Sequence, residues 1–396
     1  MSEEQEIVDQ CITNLFNQGL TQAEIAMCLA VRHNIHISVR HLRRLFARLR
    51  LYRRRGLTEP DVMVNYIAEQ LRGPGRLHGY RMMSERCRSA GLRVTRNQVY
   101  EVLCFLDPDG LQQRRGRRLR RRHYSVPGPN FIWHMDSYDK LTPFGIGVNG
   151  CIDGFSRRII WMHANFTNSK PEVIAAYFID AVTELGGCPK IIRSDFGTEN
   201  VHVNRLQCFL REDENGTVHG PCVLQGRSTS NQRIESWWGQ YRRQNADYWR
   251  DVFQEFQSVG DFTGDMIDKG LIQFCFLNII QKEIDTVRRM RNTHRIRPSG
   301  NGRDLYPGRP FLMYDTPELY QARDYLQPVD YDKLDIILEE EICLWKTDIV
   351  CDPDLHELCL LLMGEHHLEA SHNAAGATRL YRQLRPLIRA HLSESE

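Results

Sequence analysis

Helical periodicity dominates the first third of the chain. Apolar residues recur every three or four positions over residues 4–18, which predicts an amphipathic helix. Thr21, followed three residues later by Glu24, is typical of a capping box at the start of a second helix. A third helix is predicted from about Ser38, with its leucines facing inward. The arginines expected on its outer face are Arg40, Arg43, Arg44 and Arg48.

The same pattern then repeats. Residues 59–72 and 79–90 predict two helices, and Thr95 is expected to cap a third. This third helix would present Arg96, Asn97, Gln98 and Glu101. Helix, short turn and basic helix is the arrangement of a helix-turn-helix unit, in which the last helix enters the major groove of DNA. Asn and Gln can read adenine and Arg can read guanine. Any small three-helix bundle would give a similar pattern, but the arginines favour two DNA-binding units, at 1–56 and 57–112.

From residue 131 the spacing of apolar residues changes to that of an α/β structure. Phe131, Trp133 and Met135 alternate with polar residues, which predicts a strand. Asp153 and Gly154 are expected to form the turn of a hairpin. In order, the predicted elements are a strand at 131–141, a hairpin at 145–166, a helix at 170–187, a strand at 190–195 and a helix from about Ser230.

Charge is divided unevenly along the chain. Residues 1–125 hold 23 Arg, no Lys and 12 Asp or Glu, a net charge of +11, whereas residues 126–396 hold 29 basic and 38 acidic residues, a net charge of −9. An arginine excess of this size is expected of a protein that binds the phosphate backbone of DNA. A merely solvated basic surface is the alternative, although it would usually mix Lys with Arg.

The densest basic run, 114–123, lies in a predicted linker at 113–130. Repulsion between its like charges keeps such a run from packing. Arg117 and Arg118 within it are expected to contact DNA phosphates, to act as a nuclear localisation signal, or both. We therefore expect the nucleus as the compartment if the source is eukaryotic.

Composition excludes several classes of protein. No apolar run approaches the roughly 18 residues of a membrane span, and the acidic, polar start is unlike a secretory signal peptide. The 12 cysteines are scattered without a CxxC pair, which argues for free thiols in a reducing compartment and against a zinc site.

Three acidic residues stand out in the α/β part. Asp136 lies within the first strand, where a carboxylate is costly unless it is paired or binds a metal. Asp195 lies at the carboxyl end of a strand, which is where ligands bind in open α/β sheets. Glu235 lies one turn into a helix, on the face that also carries Asn231, Trp238 and Arg242. Each of the three, taken alone, could have only a structural role. Asp153 is expected to be a turn residue, and Glu199 and Asn200 to cap the next helix.

Residues 131–315 resemble the catalytic core of retroviral integrases and DDE transposases. Five ordered motifs carry this resemblance: WHMDSY, CIDGFSRRII, RSDFGTEN, GRSTSNQRIESWWGQYRR and RNTHRIRPSG followed by PGRPFLMY. The resemblance implies a ribonuclease-H-like α/β core, with a mixed five-stranded sheet and flanking helices, preceded by an all-α helix-turn-helix region. Asp136, Asp195 and Glu235 occupy the positions of the catalytic triad. The second helix-turn-helix unit, with the junction that follows it, is similar to insertion-sequence transposases.

The chain also departs from the family pattern. It lacks the His-His-Cys-Cys set of the retroviral zinc domain, so no zinc site is expected. Thirty-nine residues separate Asp195 from Glu235, slightly more than is usual. Gly239 stands where many integrases have a DNA-contacting lysine, and Arg242, a turn further on, could take that role.

The resemblance implies a polynucleotidyl transferase that cuts DNA and joins strands with two Mg²⁺ or Mn²⁺ ions. In this hypothesis Asp136 bridges both ions, and Asp195 and Glu235 each complete one site. A homo-oligomer is expected, because the resemblance is to recombinases that act as multimers and hold two DNA ends. Two alternatives stay open: a catalytically silent, host-adopted DNA-binding protein, and a metal-dependent nuclease that does not join.

The C-terminal segment, 316–396, resembles nothing we can name, and its role is left open. Residues 335–349 could give two strands, and residues 377–392 predict a helix broken at Pro386.

Overall fold

The computed structural model of the chain describes residues 3–53, 56–113, 126–297, 307–339 and 350–395. Arg117 and Arg118 lie outside these ranges. An all-α part comes first, an α/β part follows, and further helices complete the chain. Across the described ranges, no helix combines the length and the apolar character that a membrane span needs.

Three helices form the first packed unit: α1 (Glu3–Asn17), α2 (Gln22–His33) and α3 (Val39–Arg48). The capping box predicted at Thr21 and Glu24 is confirmed, since each residue's side chain accepts a hydrogen bond from the other's backbone N–H. Leucines, isoleucines and Phe46 from all three helices meet in one apolar core. The arginines of α3 are consequently left on the outside.

A second helical unit follows, made of α4 (Pro60–Leu71), α5 (Tyr80–Ser89) and α6 (Arg96–Leu106), with a short α7 (Pro108–Gln113) after it. Its small core contains Met63, Ile67, Met83, Cys87, Val99 and Leu103. Thr95 caps α6 as predicted: its hydroxyl accepts the N–H of Gln98, while the amide oxygen of Gln98 accepts the N–H of Thr95.

The α/β part is built on a five-stranded mixed sheet, so the predicted fold class is confirmed. The strands are β1 (Ile132–Tyr138), β2 (Gly147–Asp153), β3 (Ile159–Asn165), β5 (Ile191–Ser194) and β6 (Val223–Gln225), with a two-residue β4 (Gly187–Cys188) outside the sheet. Their order is β3-β2-β1-β5-β6. β1 pairs antiparallel with β2 and parallel with β5, and β5 pairs parallel with β6.

Helices cover both faces of this sheet. They are α8 (Pro171–Leu185), α9 (Val201–Leu210), α10 (Gln232–Tyr241), α11 (Asp247–Ser258) and α12 (Met266–Thr293). The stripe of apolar residues predicted on α8 packs with Trp133, Met135 and α9 on one face. The aromatic residues of α10 and α11 pack with α12 on the other. A π-helical turn, Arg242–Ala246, joins α10 to α11.

The remaining elements are α13 (Pro310–Asp315), β7 (Gln327–Pro328), α14 (Tyr331–Glu339), α15 (Pro353–Glu365) and α16 (Ala374–Ser395). The strand prediction for 335–349 is wrong at its start, where α14 is a helix, and residues 340–349 lie outside the described ranges. Leu334 and Ile337 are buried one helical turn apart, while Ile336 and Leu338 are exposed. Helical burial therefore overrides the local run of β-favouring residues.

The predicted break at Pro386 is also wrong, because α16 continues through it. Proline removes one backbone hydrogen bond from a helix. The fully buried Leu384 and Ile388 on either side of Pro386 pack into the core around α12, and this burial offsets the loss. α16 is further fixed by Asp268 of α12, whose buried carboxylate accepts hydrogen bonds from Arg385 and Arg389 at 2.8 to 3.1 Å.

Both helical units are docked on the α/β part. Arg86 of α5 forms a two-pronged ion pair with Glu283 of α12, at 2.5 and 2.7 Å. Arg309 donates to the carbonyl of Gly19 at 2.7 Å, and Leu312 of α13 joins the apolar core of the first unit. The two helical units are thus held against the rest of the chain by partly buried contacts.

Candidate active site

Two of the three predicted carboxylates lie side by side at one edge of the sheet. The parallel pairing of β1 with β5 places His134 opposite Arg193. Asp136 and Asp195 are each two residues further along, so they occupy neighbouring positions on strands that lie about 4.8 Å apart. Asp136 is partly buried in β1, and Asp195 immediately follows β5.

Glu235 reaches this edge from the first turn of α10. Asn231, the residue before α10, is buried and ties the helix to β1. Its side-chain N–H donates to the carbonyl of Met135 at 2.7 Å, and its oxygen accepts from Nδ1 of His134 at 2.7 Å. Burial lowers the pKa of His134 to about 3, so the ring is neutral and serves as a structural donor. The start of α10 is therefore fixed one residue from Asp136.

Trp238, one turn beyond Glu235, orients Asp136. Its indole N–H donates to Oδ2 of Asp136 at 3.0 Å. The ring lies over Gly150, which pairs with Asp136 across β1 and β2, and a β-carbon on Gly150 would come within 2.9 Å of it. A side chain at position 150 would displace the indole, so glycine is required there. Trp238 packs in the apolar core and also makes this polar contact.

The electrostatics show that the three carboxylates act on one another. Burial and, after it, the nearby negative charges of Glu235 and Asp195 together raise the pKa of Asp136 to about 7, against the lowering effect of the Trp238 hydrogen bond. The pKa of Glu235 is also raised, first by burial and then by Asp195. Like charges that raise each other's pKa create a site that favours a cation.

The loop after β5 holds Asp195 through a contact that the sequence did not reveal. Asn200 was expected to cap α9, but no side-chain capping bond is present. Its amide instead donates to Oδ1 of Asp195 at 3.0 Å, and the N–H of Gly197 donates to the same oxygen at 3.1 Å. The other oxygen of Asp195 accepts no hydrogen bond from the described residues and so is free for a ligand.

Glu199 is a fourth acidic residue at this edge. It was expected to act as a capping residue, yet its carboxylate folds over Gly197, where a β-carbon would lie 2.1 Å from Oε1. Its pKa is raised by burial, with contributions from Asp195 and Asp139. Its position only four residues after Asp195 in the sequence was the signal that could have identified it.

The donor set suits a divalent ion, but the side chains are not yet gathered around one point. Carboxylate oxygens are the ligands that Mg²⁺ prefers, and the raised pKa of Asp136 reflects a repulsion that a cation would relieve. Among the residues described here, however, no three His, Cys, Asp or Glu side chains are arranged so that they could hold a metal ion. Asp153 is not a candidate: its carboxylate accepts hydrogen bonds from Asn130, Phe155 and Ser156 in the hairpin turn, as predicted.

The side chains predicted to contact DNA differ in their exposure and in the protein partners they already have. Arg40 and Arg44 are exposed on α3, whereas Nε of Arg43, also exposed, donates to Gln22 at 3.0 Å. On α6, Asn97 is exposed and Arg96 lies 3.6 Å from Glu85. The two remaining predicted contacts are Gln98, whose oxygen is used in the capping box, and Arg242, which is 53% exposed and 3.7 Å from Asp247.

A scan against models of protein families matches residues 123–306 to the model described as "Integrase core domain". This range includes β1, the loop after β5 and α10, and with them all three predicted triad residues. No curated protein matches the chain.

Proposed function

Residues 123–306 form an integrase core domain of the type found in retroviral integrases and DDE transposases, and from that premise we propose that the chain is a polynucleotidyl transferase that cuts DNA and joins strands. This domain alone supports a DNA integrase- or transposase-like function in general. The proposal of catalysis rests on one observation: burial and the charges of Glu235 on α10 and Asp195 after β5 raise the pKa of Asp136 on β1, so the three carboxylates are close enough to interact.

The three carboxylates would hold two divalent ions, Mg²⁺ or Mn²⁺. Asp136, the central residue, would contact both, and Asp195 and Glu235 would each complete one site. When bound, such ions activate the attacking oxygen and stabilise the leaving oxygen of an in-line displacement at phosphorus. Burial and the charge of Asp195 raise the pKa of Glu199, so Glu199 lies close to the triad and we assign it a supporting role.

The protein residues prepare this chemistry by orientation. Trp238 fixes one oxygen of Asp136, and Asn200 fixes one oxygen of Asp195. Each carboxylate therefore keeps a defined direction while its second oxygen can face a ligand. Preorganised groups of this kind need not reorganise during the reaction.

The two helical units would bind the DNA. The net charge of +11 over residues 1–125 and the exposed Arg40, Arg43 and Arg44 on α3 support phosphate contacts by the first unit. α6, with Arg96, would be the reading helix of the second, and Arg242 would contact DNA close to Glu235. The Arg117 and Arg118 run would add phosphate contacts.

One assay tests the catalytic proposal. Labelled duplex DNA is incubated with the full chain and Mg²⁺ or Mn²⁺, and an Asp195→Asn variant is run beside an Asp335→Asn variant. Asp335 is an exposed carboxylate on α14, outside the triad and the acidic residues around it, so it is the matched control. We expect joined products from the wild type and Asp335→Asn, and none from Asp195→Asn. Cleavage without joining would instead identify a nuclease.

A second candidate function is supported by a specific observation. Because the described side chains do not gather into a ready metal site, the chain could be a catalytically silent DNA-binding protein that keeps the integrase fold. Salt-sensitive DNA binding with neither cleavage nor joining is the outcome that would establish it.

DNA binding by the first unit is tested separately. Replacing Arg40, Arg43 and Arg44 by Ala should weaken duplex binding and make the slope of log affinity against log salt shallower by about 2 to 3. The matched control removes three exposed charges elsewhere, at Lys282, Arg289 and Arg379. We further propose that the protein acts as a homo-oligomer, and in the nucleus if its source is eukaryotic.

A further inference from the structure

Two cysteine thiols outside the carboxylate site lie in direct contact. Sγ of Cys208, on α9, is 2.6 Å from Sγ of Cys222, which immediately precedes β6. Both are free thiols. A disulfide bond is about 2.05 Å long, so only a small movement separates the two sulfur atoms from bonding distance. Among the described cysteines, this is the one pair for which such a sulfur contact is recorded.

The segment between the two thiols is held so that it keeps them together. Glu212 and Val218 form an antiparallel bridge, and Oδ1 of Asp213 accepts the N–H groups of Asn215 and Thr217, each at 2.9 Å. From the other side, Nζ of Lys333 donates to the carbonyls at the end of α9. The thiol contact is therefore a product of an ordered connection.

Each thiol belongs to a segment whose far end reaches the carboxylates. α9 begins after Asn200, which holds Asp195. β6 continues through Gly226, whose N–H donates to Ser194 at 3.2 Å, and then into α10, which carries Glu235. A covalent link between the thiols would tie together the two segments that position Asp195 and Glu235.

We propose that Cys208 and Cys222 are a redox modification site that forms a reversible disulfide. With hydrogen peroxide as oxidant, one thiol is oxidised to a sulfenic acid and one water is released. The second sulfur then attacks the oxidised one: the S–S bond forms, the S–O bond breaks, and a second water leaves with the remaining protons. Two molecules of a thiol such as glutathione reverse the reaction through a mixed disulfide.

Proximity, and not acidity, selects this pair. Burial and the neighbouring Cys222 thiol raise the pKa of Cys208 to about 12, so the first oxidation is slow at neutral pH. Once one sulfur is oxidised, the other already lies against it. The consequence for DNA joining rests on the proposed function: the linked protein should hold Asp195 and Glu235 more rigidly.

The test is a peptide map of the full chain after treatment with graded hydrogen peroxide. Trypsin releases Cys208 in the peptide 206–211 and Cys222 in the peptide 212–227. We expect these two peptides to appear joined, with the loss of two hydrogen atoms, and to separate again with glutathione. Thermal unfolding of the oxidised protein should shift upward by about 3–5 °C, as for a closed loop of this length.

Three cysteine variants test whether Cys208 and Cys222 form the disulfide. Cys208→Ser and Cys222→Ser should lose the joined peptide and the thermal shift, whereas Cys104→Ser, which removes an exposed cysteine, should keep both. Peroxide that modifies Cys104 but leaves peptides 206–211 and 212–227 unjoined in the wild type overturns the proposal, and this measurement needs no variant to fold. The map does not involve DNA, so the absence of strand joining by the reduced protein would count against the proposed function alone.

Discussion

Replacing Asp136 by Asn should make the metal-free protein more stable at pH 8. The pKa of Asp136 rises from an ordinary value of 3.8 to about 7 because of burial and the charges of Glu235 and Asp195. A rise of this size means that the charged carboxylate is about 4 kcal/mol less favourable in the folded chain than in the unfolded chain. Asn removes the charge, and its side-chain oxygen can still accept from Trp238.

The sign of the pH dependence follows from the same pKa. Between about pH 4 and pH 7 the unfolded chain has released the Asp136 proton while the folded chain retains it, so the free energy of unfolding of the wild type falls as pH rises. Below about pH 4 the group is neutral in both states. The variant should therefore exceed the wild type by little at pH 4 and by up to about 4 kcal/mol at pH 8.

Guanidinium unfolding followed by tryptophan fluorescence measures this difference, in the presence of a chelator. Asp335→Asn, which neutralises an exposed carboxylate on α14, serves as the control and should show no comparable gain. Adding Mn²⁺ should stabilise the wild type but not Asp136→Asn, because a ligand that binds only the folded state raises its stability. An Asp136→Asn protein that is no more stable than the wild type at pH 8 would refute the reasoning that these carboxylates repel one another.

Three further substitutions test the surroundings of the site and the C-terminal clamp. Trp238→Phe removes a donor that lowers the pKa of Asp136, so the midpoint of the pH-dependent stability difference should move above pH 7; an unchanged midpoint would mean that the indole bond does not form. Asn231→Ala should lower the free energy of unfolding by about 2–4 kcal/mol, because it leaves buried partners unsatisfied. Asp268→Asn should lower the free energy of unfolding, measured in denaturant melts, by about 3 kcal/mol, because it breaks a buried pairing with two arginines. The control Asp335→Asn, at an exposed position, should change this free energy by less than about 0.5 kcal/mol.

The parts of the fold that depend on local spacing could be predicted. Alternation in β1 indicated the strand that carries Asp136, and the helical period after Ser230 indicated the helix that carries Glu235. The capping box at Thr21 and the helix cap at Thr95 were visible because a cap depends on residues within one turn of the chain, and the structure adds that Gln98 completes a box with Thr95. The domain boundaries stay predictions.

The parts of the fold that depend on packing between distant segments could not be predicted from the sequence. The role of Asn200 is set by Asp195 across a loop, and α14 is a helix because it buries Leu334 and Ile337 against the sheet domain. The helix through Pro386 persists because of neighbours more than 100 residues away in the sequence. Local propensity takes no account of these contacts. It therefore predicted a capping role for Asn200, strands at 335–349 and a helix break at Pro386.

The covering of α12 by α15 and α16 has a consequence for how the chain is made. Leu271, Phe276 and Ile280 share one apolar cluster with Tyr381 and Ile388. A ribosome adds residues at about 5–20 per second, and N-terminal domains usually fold first. The apolar face of α12 that Tyr381 and Ile388 cover therefore lacks this cover until Ile388 has been added, about 95 residues and on the order of 5–20 seconds after the end of α12.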